Sequence, residues 1–304
     1  TNVTVNGGNV LHSIYGGGAY SSVGTYTYKN EDANAAINTH TENTGKATIR
    51  ITGGTIGTDG HENGMIFGAS RGDIAAPGAI QDNMAWVYDT EVVIGKTDDA
   101  TDGPQIKGSV YGSGENGHTF HDASVTIHSG MVGITDINID GGAAYEFRGN
   151  VYGGGCGTDK YYSNSEEETH DGNGDKYNIT AGIVGRNTTV TIDGGHVVRN
   201  VYGAGAMGSV TGGTTVNISG KSVIGADGSG GGYVYAAARG NDDMEDGYAT
   251  VGSTTLIISG GTIWQSAFGG GQLGTVKGSV AVTVSGGVVK NDVYGGGALA
   301  NTNT

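Results

Sequence analysis

Apolar and polar residues alternate with a period of two in six short stretches: NVTVNGG at residues 2–8, ATIRITGG at 47–54, TTVTIDGG at 188–195, TTVNISG at 214–220, TTLIISGG at 254–261 and AVTVSGG at 281–287. Each is rich in β-branched residues and ends on glycine, the pattern of a half-buried strand that stops at a bend. A short apolar pair follows, such as Val197-Val198 or Val288-Val289, and then a second phrase in which one aliphatic residue precedes one aromatic and a run of small residues. That phrase is SIYGGG at 13–18, SVYGSG at 109–114, NVYGGG at 150–155, NVYGAG at 200–205, SAFGGG at 266–271 and DVYGGG at 292–297, with weaker copies MIFGAS at 65–70 and YVYAAA at 233–238. One unit thus holds three or four short strands separated by corners.

The aromatics of these phrases, Tyr15, Phe67, Tyr111, Tyr152, Tyr202, Tyr235, Phe268 and Tyr294, lie 52, 44, 41, 50, 33, 33 and 26 residues apart. The shortest spacing sets the minimal unit, and the longer ones add insertions near 19–45, 70–90, 156–186 and 240–252. Between Tyr111 and Tyr152 both SVTIHSG and DINIDGG fit the first strand, and the assignment stays open there. A 26-residue unit with several corners is what a chain needs to wind once round a parallel β-solenoid. The expected fold is therefore all-β, a right-handed parallel β-helix of about eight rungs with long loop insertions, forming a single domain over residues 1–304. At roughly 4.8 Å per rung it makes a rod about 35 to 40 Å long. A β-propeller would need a more uniform period and hairpin turns of the Asn-Gly type, which are scarce.

Composition agrees. Glycine supplies 62 of the 304 residues and proline 2, without a triplet period, so glycine serves corners and close approach between rungs. The formal net charge of −15 argues against nucleic acid and anionic membrane as partners. No run of eighteen apolar residues occurs, which argues against membrane insertion, and the single Cys156 rules out an intramolecular disulfide. The sequence opens on Thr1 without a signal-like segment, the expectation for a processed or excised piece of something longer.

Repeats such as TTVTIDGGHVVRNVYGAG resemble the Gly-rich repeats of large bacterial surface proteins, the adhesin-like and autotransporter-like β-solenoids. The resemblance covers most of the chain outside the insertions. It implies an extracellular or cell-surface bacterial protein, an adhesin, structural rod or biofilm component. No catalytic residue carries over from it.

Candidate chemistry is sparse. β-Helical polysaccharide lyases and hydrolases are the enzymatic alternative, and they cluster Asp with Arg or Lys on one sheet face. Here the arginines are dispersed at 50, 71, 148, 186, 199 and 239, while paired carboxylates such as Asp98-Asp99, Asp242-Asp243 and Glu166-Glu167-Glu168 fall in insertions, so a non-enzymatic role is expected. Asp171, Asn173 and Asp175 space oxygen ligands like the opening of a calcium loop, but Lys176 stands where such a loop needs glycine, and Gly182 where it needs the bidentate Glu. Calcium is thus the one cofactor considered, serving a calcium-dependent glycan-binding module. His118 and His121 give an HxxH spacing for zinc with no third nitrogen or sulfur ligand close by. The glycines after Tyr152 are not followed by the lysine and helix of a phosphate loop.

The aromatic phrases remain. If Val151 points into the rod, its neighbour Tyr152 points out, because successive strand residues face opposite ways. Tyr15, Phe67, Tyr111, Tyr152, Tyr202, Tyr235, Phe268 and Tyr294 would then stack along the outside. Such a ladder either serves structure, under cover of the insertions, or offers a flat track to a glycan or protein surface. Finally, Tyr294 followed by a second copy of the chain would meet the next Tyr15 after 25 residues, against 26 between the last two aromatics. The junction is in phase, which predicts either a segment of a longer solenoid or a subunit that self-associates end to end.

Overall fold

A computed structural model describes residues 1–28, 37–40, 44–59, 63–73, 84–97, 103–135, 148–157, 180–242, 244 and 246–304. The chain is all-β, and its two large sheets, of 12 and 8 strands, are parallel throughout. This arrangement is consistent with a β-solenoid, because strands that lie side by side come from successive passages of the chain.

The larger sheet stacks the alternating stretches in matching register. Ile49 pairs with Val92, then Val125, Val190, Val216, Leu256 and Val282 follow in line. A second column runs through Ile51, Ile94, Ile127, Ile192, Ile218 and Ile258, and short strands such as Gln105–Ile106 and His196–Val197 add a third through Ile56, Ile106, Val132, Val197, Ile224 and Ile263. The 8-stranded sheet closes the core with Ile66, Val110, Val151, Val201, Val234 and Ala267. All these side chains from Ile49 to Ala267 are buried in one cluster, apart from Val282, which packs at its end. The β-branched residues are used where identical shapes must stack at one strand spacing, and a register slip of one would turn each column outward.

The stretch at 123–130 supplies the strand that was ambiguous: Ala123–Ile127 pairs with Asp89–Ile94 on one side and Thr188–Ile192 on the other. The competing DINIDGG lies outside the described residues. Within the insertion near 19–45, Tyr26–Tyr28 and Ile37–His40 form a separate antiparallel pair.

Glycine acts in two ways, at corners and where neighbouring backbones approach closely. Positive φ occurs at the bend after the alternating strand, as at Gly195 with φ 71°, and at other corners, as at Gly149 with φ 77° just before an aromatic strand. Gly153, directly after Tyr152, is outside the left-handed region; a Cβ there would lie 2.1 Å from the carbonyl oxygen of Gly203 on the next strand. It is glycine because neighbouring backbones approach closely.

Threonine hydroxyls tie the two sheets together. Thr1, Thr188 and Thr254 donate to the carbonyls of Gly16, Gly203 and Gly269, each at 2.6 Å and each 15 residues on, and Thr214 does the same to Ala236. The bonds of Thr188, Thr214 and Thr254 are buried, so the hydroxyl satisfies a carbonyl that would otherwise be isolated from water.

Candidate functional site

The eight predicted aromatics do form one stack. Their ring centroids are 4.6 to 5.1 Å apart from Tyr15 to Tyr294, with interplanar angles of 7 to 17°. Val151 and its counterparts point into the main core, and Tyr152 and its counterparts point the other way. The stack is not an external track along most of its length, however. Tyr111, Tyr152 and Tyr202 are 3, 1 and 2% exposed, and the rings pack with Met65, Cys156, Ala206 and Tyr233 as a second hydrophobic seam. The alternation was correct, but the small residues after each aromatic bring the chain back over the rings. Tyr294, 45% exposed, is the most open ring of the stack, and Tyr15 at the other end is partly buried.

Polar ends of the seam are engaged. Tyr202 donates its hydroxyl to Gln272 Oε1 at 2.7 Å and receives Asn200 Nδ2 at 3.3 Å, and Tyr15 donates to the buried carboxylate of Glu115. Burial, then the neighbouring Tyr202 and Tyr233, pushes the Tyr235 phenol far above its ordinary range. Tyr294 is also raised, chiefly by its hydrogen bond to Asp292.

A second cluster lies at the corner leading into the large sheet. Here Asp89, Asp122 and Asn187 stand at the entry to successive strands, and each accepts a backbone N–H from the next passage: Asp122 N–H to Asp89 Oδ1 at 3.1 Å, Asn187 N–H to Asp122 Oδ1 at 2.9 Å and Gly213 N–H to Asn187 Oδ1 at 3.0 Å. His121 stacks on Tyr88 with centroids 4.9 Å apart, and its Nδ1 lies 3.0 Å from Asp89 Oδ1 and 3.3 Å from Asp122 Oδ2. Among the described residues these three side chains converge closely enough to hold a metal ion.

Arg186 decides how that trio is used. Its Nη1 faces His121 Nε2, and a guanidinium can only donate, so Nε2 accepts and the ring proton sits on Nδ1, aimed at the carboxylates. A metal on Nδ1 would move the proton to Nε2 and set it against a donor, whereas metal-bound histidines normally donate that proton to an acceptor. The corner is a hydrogen-bonded ladder. His118, the other half of the HxxH pair, is buried against Trp86 with centroids 4.6 Å apart and does not join the trio. Asp171, Asn173 and Asp175 lie outside the described residues.

The residues that reading the sequence missed are Trp86 and Tyr88. They pair with His118 and Phe120 across the Trp86–Val87 and His118–Thr119 strands, and Trp86, Tyr88 and Phe120 are only partly buried. The signal was available: WVY over HTF repeats one aliphatic or small inward position between two outward rings, 32 residues apart. Compared with protein-family models, curated proteins and solved structures, the chain finds no match in any of the three.

Proposed function

We propose that this chain is a non-enzymatic structural rod, a right-handed parallel β-helix of about eight rungs displayed outside a bacterial cell. The observation that carries this reading is that nearly all of its ordered chemistry is spent between neighbouring strands. Buried aliphatic columns, a stacked aromatic seam, threonine hydroxyls and corner carboxylates each join one passage of the chain to the next. Rigidity along one axis is the property these contacts produce. The acidic charge and the Gly-rich repeats that resemble bacterial surface proteins support the location. Turnover assays on acidic and neutral polysaccharides test the structural role: no product is expected, and release of sugars would refute it. Antibody labelling of intact cells tests the location, with signal only after permeabilisation as the contrary result.

A second reading, adhesion to a glycan, is favoured by the partly buried Trp86, Tyr88 and Phe120 beside the polar corner. Aromatic faces flanked by a few polar groups suit sugar rings. Glycan-array binding that is abolished by Tyr88→Ala and Phe120→Ala would establish it, and absence of binding would leave the rod alone.

A further inference from the structure

Three rows of side chains cross the strands beside Tyr88. The register that pairs Lys46 with Asp89, and Ala123 with both Thr90 and Thr188, sets Lys46, Asp89, Asp122 and Asn187 in line on successive passages. At roughly 4.8 Å per strand spacing this line is about 14 Å long. It forms the floor of an open cavity of about 330 Å³ that Ser124 and Thr189 also line. Residues just before the floor positions make one rim: Tyr88 and His121 are stacked within 14°, and the Arg186 guanidinium faces the imidazole. Residues two positions beyond the floor make the other, where Ser124 is paired between Glu91 and Thr189.

The corner ladder uses only part of this groove's hydrogen-bonding capacity. Asp89 spends Oδ1 on the Asp122 N–H and on His121, which leaves its Oδ2. Asp122 spends Oδ1 on Asn187 and turns Oδ2 toward His121. Lys46 gives a donor to Glu91 at 2.7 Å, and Asn187 gives one amide hydrogen to Asp122, so each retains donors. Ser124 donates to the Thr90 carbonyl and keeps its lone pairs, and Thr189 is exposed. What remains alternates along the groove: ammonium donors, carboxylate acceptors, an amide donor, and hydroxyls at the rim.

That alternation discriminates among ligands. A uronate or sulfated chain would meet the two floor carboxylates, and a cationic ligand would meet Lys46 at one end and Arg186 at the other. An extended peptide needs backbone groups to pair with, but the N–H groups of Asp122, Asn187 and Gly213 are already held by floor side chains. Sugar hydroxyls donate and accept at once, and the Tyr88–His121 stack gives the C–H surface of a sugar an apolar wall. We infer that this groove binds a neutral linear glycan, lying across the strands with its hydroxyls on the line from Lys46 to Asn187. The inference rests on the glycan-adhesion reading and gives it a site and a ligand class.

Isothermal titration calorimetry of the whole chain tests it, with cellopentaose, mannopentaose and xylopentaose as neutral probes and oligogalacturonate as the acidic one. At least one neutral probe is expected to bind, and oligogalacturonate is expected not to. Asp89→Asn keeps an oxygen for the Asp122 N–H, and Thr189→Val keeps the shape of an exposed side chain; circular dichroism verifies both folds. Each variant is expected to weaken the neutral probe about five- to ten-fold, the loss of one hydrogen bond. Thr283→Val, on the same sheet but outside the groove, is expected to leave affinity unchanged. Binding that Tyr88→Ala abolishes while Asp89→Asn and Thr189→Val leave it intact overturns the groove and keeps glycan adhesion. Binding of oligogalacturonate alone overturns the neutral class. Absence of binding to every probe overturns the groove, and a glycan array that is also blank overturns adhesion with it.

Discussion

Replacing Tyr152 by alanine separates a structural seam from a ligand track. Tyr152 is sandwiched between Tyr111 at 4.6 Å and Tyr202 at 4.8 Å, within 8° of parallel, and is 1% exposed. Each stacked contact contributes about 0.5 to 1.5 kcal/mol beyond burial, so the two give about 1 to 3 kcal/mol. Truncation also leaves a cavity in a close-packed cluster, and aromatic-to-alanine changes of this kind cost about 3 to 5 kcal/mol in total. Tyr294→Ala provides the internal control, because that ring has one stacking partner, Phe268 at 4.8 Å, and faces water on the other side. Its expected cost is about 0.5 to 1.5 kcal/mol. Tyr152→Leu keeps apolar volume and should fall between them. Equilibrium unfolding in guanidinium, followed by far-UV circular dichroism, measures all three, with hydrogen exchange to detect segmental opening in a stacked architecture. The reasoning is refuted if Tyr152→Ala costs no more than Tyr294→Ala, since a ring outside the packed structure would behave that way.

Thr188→Val should destabilise by about 1 to 3 kcal/mol, measured by thermal unfolding, because the Gly203 carbonyl loses its buried donor. Alkaline stability should fall from about pH 10 upward, where tyrosines ionise in the unfolded chain. The Tyr235 phenol is raised in the fold, so its contribution is complete below that pH and is lost as pH climbs toward the folded value; absorbance titration near 295 nm should show delayed ionisation that coincides with unfolding. Glu91 is held below its ordinary value by its hydrogen bond to Lys46 at 2.7 Å and by Arg50 at 2.9 Å. Its contribution is present above the unfolded carboxylate range and lost as pH drops through the lowered value. Lys46→Met should therefore move the Glu91 midpoint upward in an NMR titration. At the corner, Arg186→Ala should release the tautomer of His121, visible as a change in the imidazole nitrogen shifts.

Much of the fold was legible because one rule, repetition, wrote it several times over. A lone TTVTIDGG is a weak strand signal, but the columns through Val190 and Ile192 require the same spacing in every copy, so the repeat carries both strand identity and register. The alternation also placed Val151 and Tyr152 on opposite faces correctly. What it could not carry was what lies beyond the second face. Whether Tyr152 meets water depends on Cys156 and Ala206 returning over the rings, contacts made by residues chosen for smallness and having no periodicity of their own. The HxxH pair failed for the converse reason. Sequence spacing joined His118 to His121, while stacking joined His118 to Trp86 and His121 to Tyr88, 32 and 33 residues away. In a parallel stack the nearest chemical neighbours are one passage apart, so a site is legible only when passages are aligned before motifs are sought. Aligned that way, Asp89, Asp122 and Asn187 fall into one column, closed by hydrogen bonds from one passage to the next.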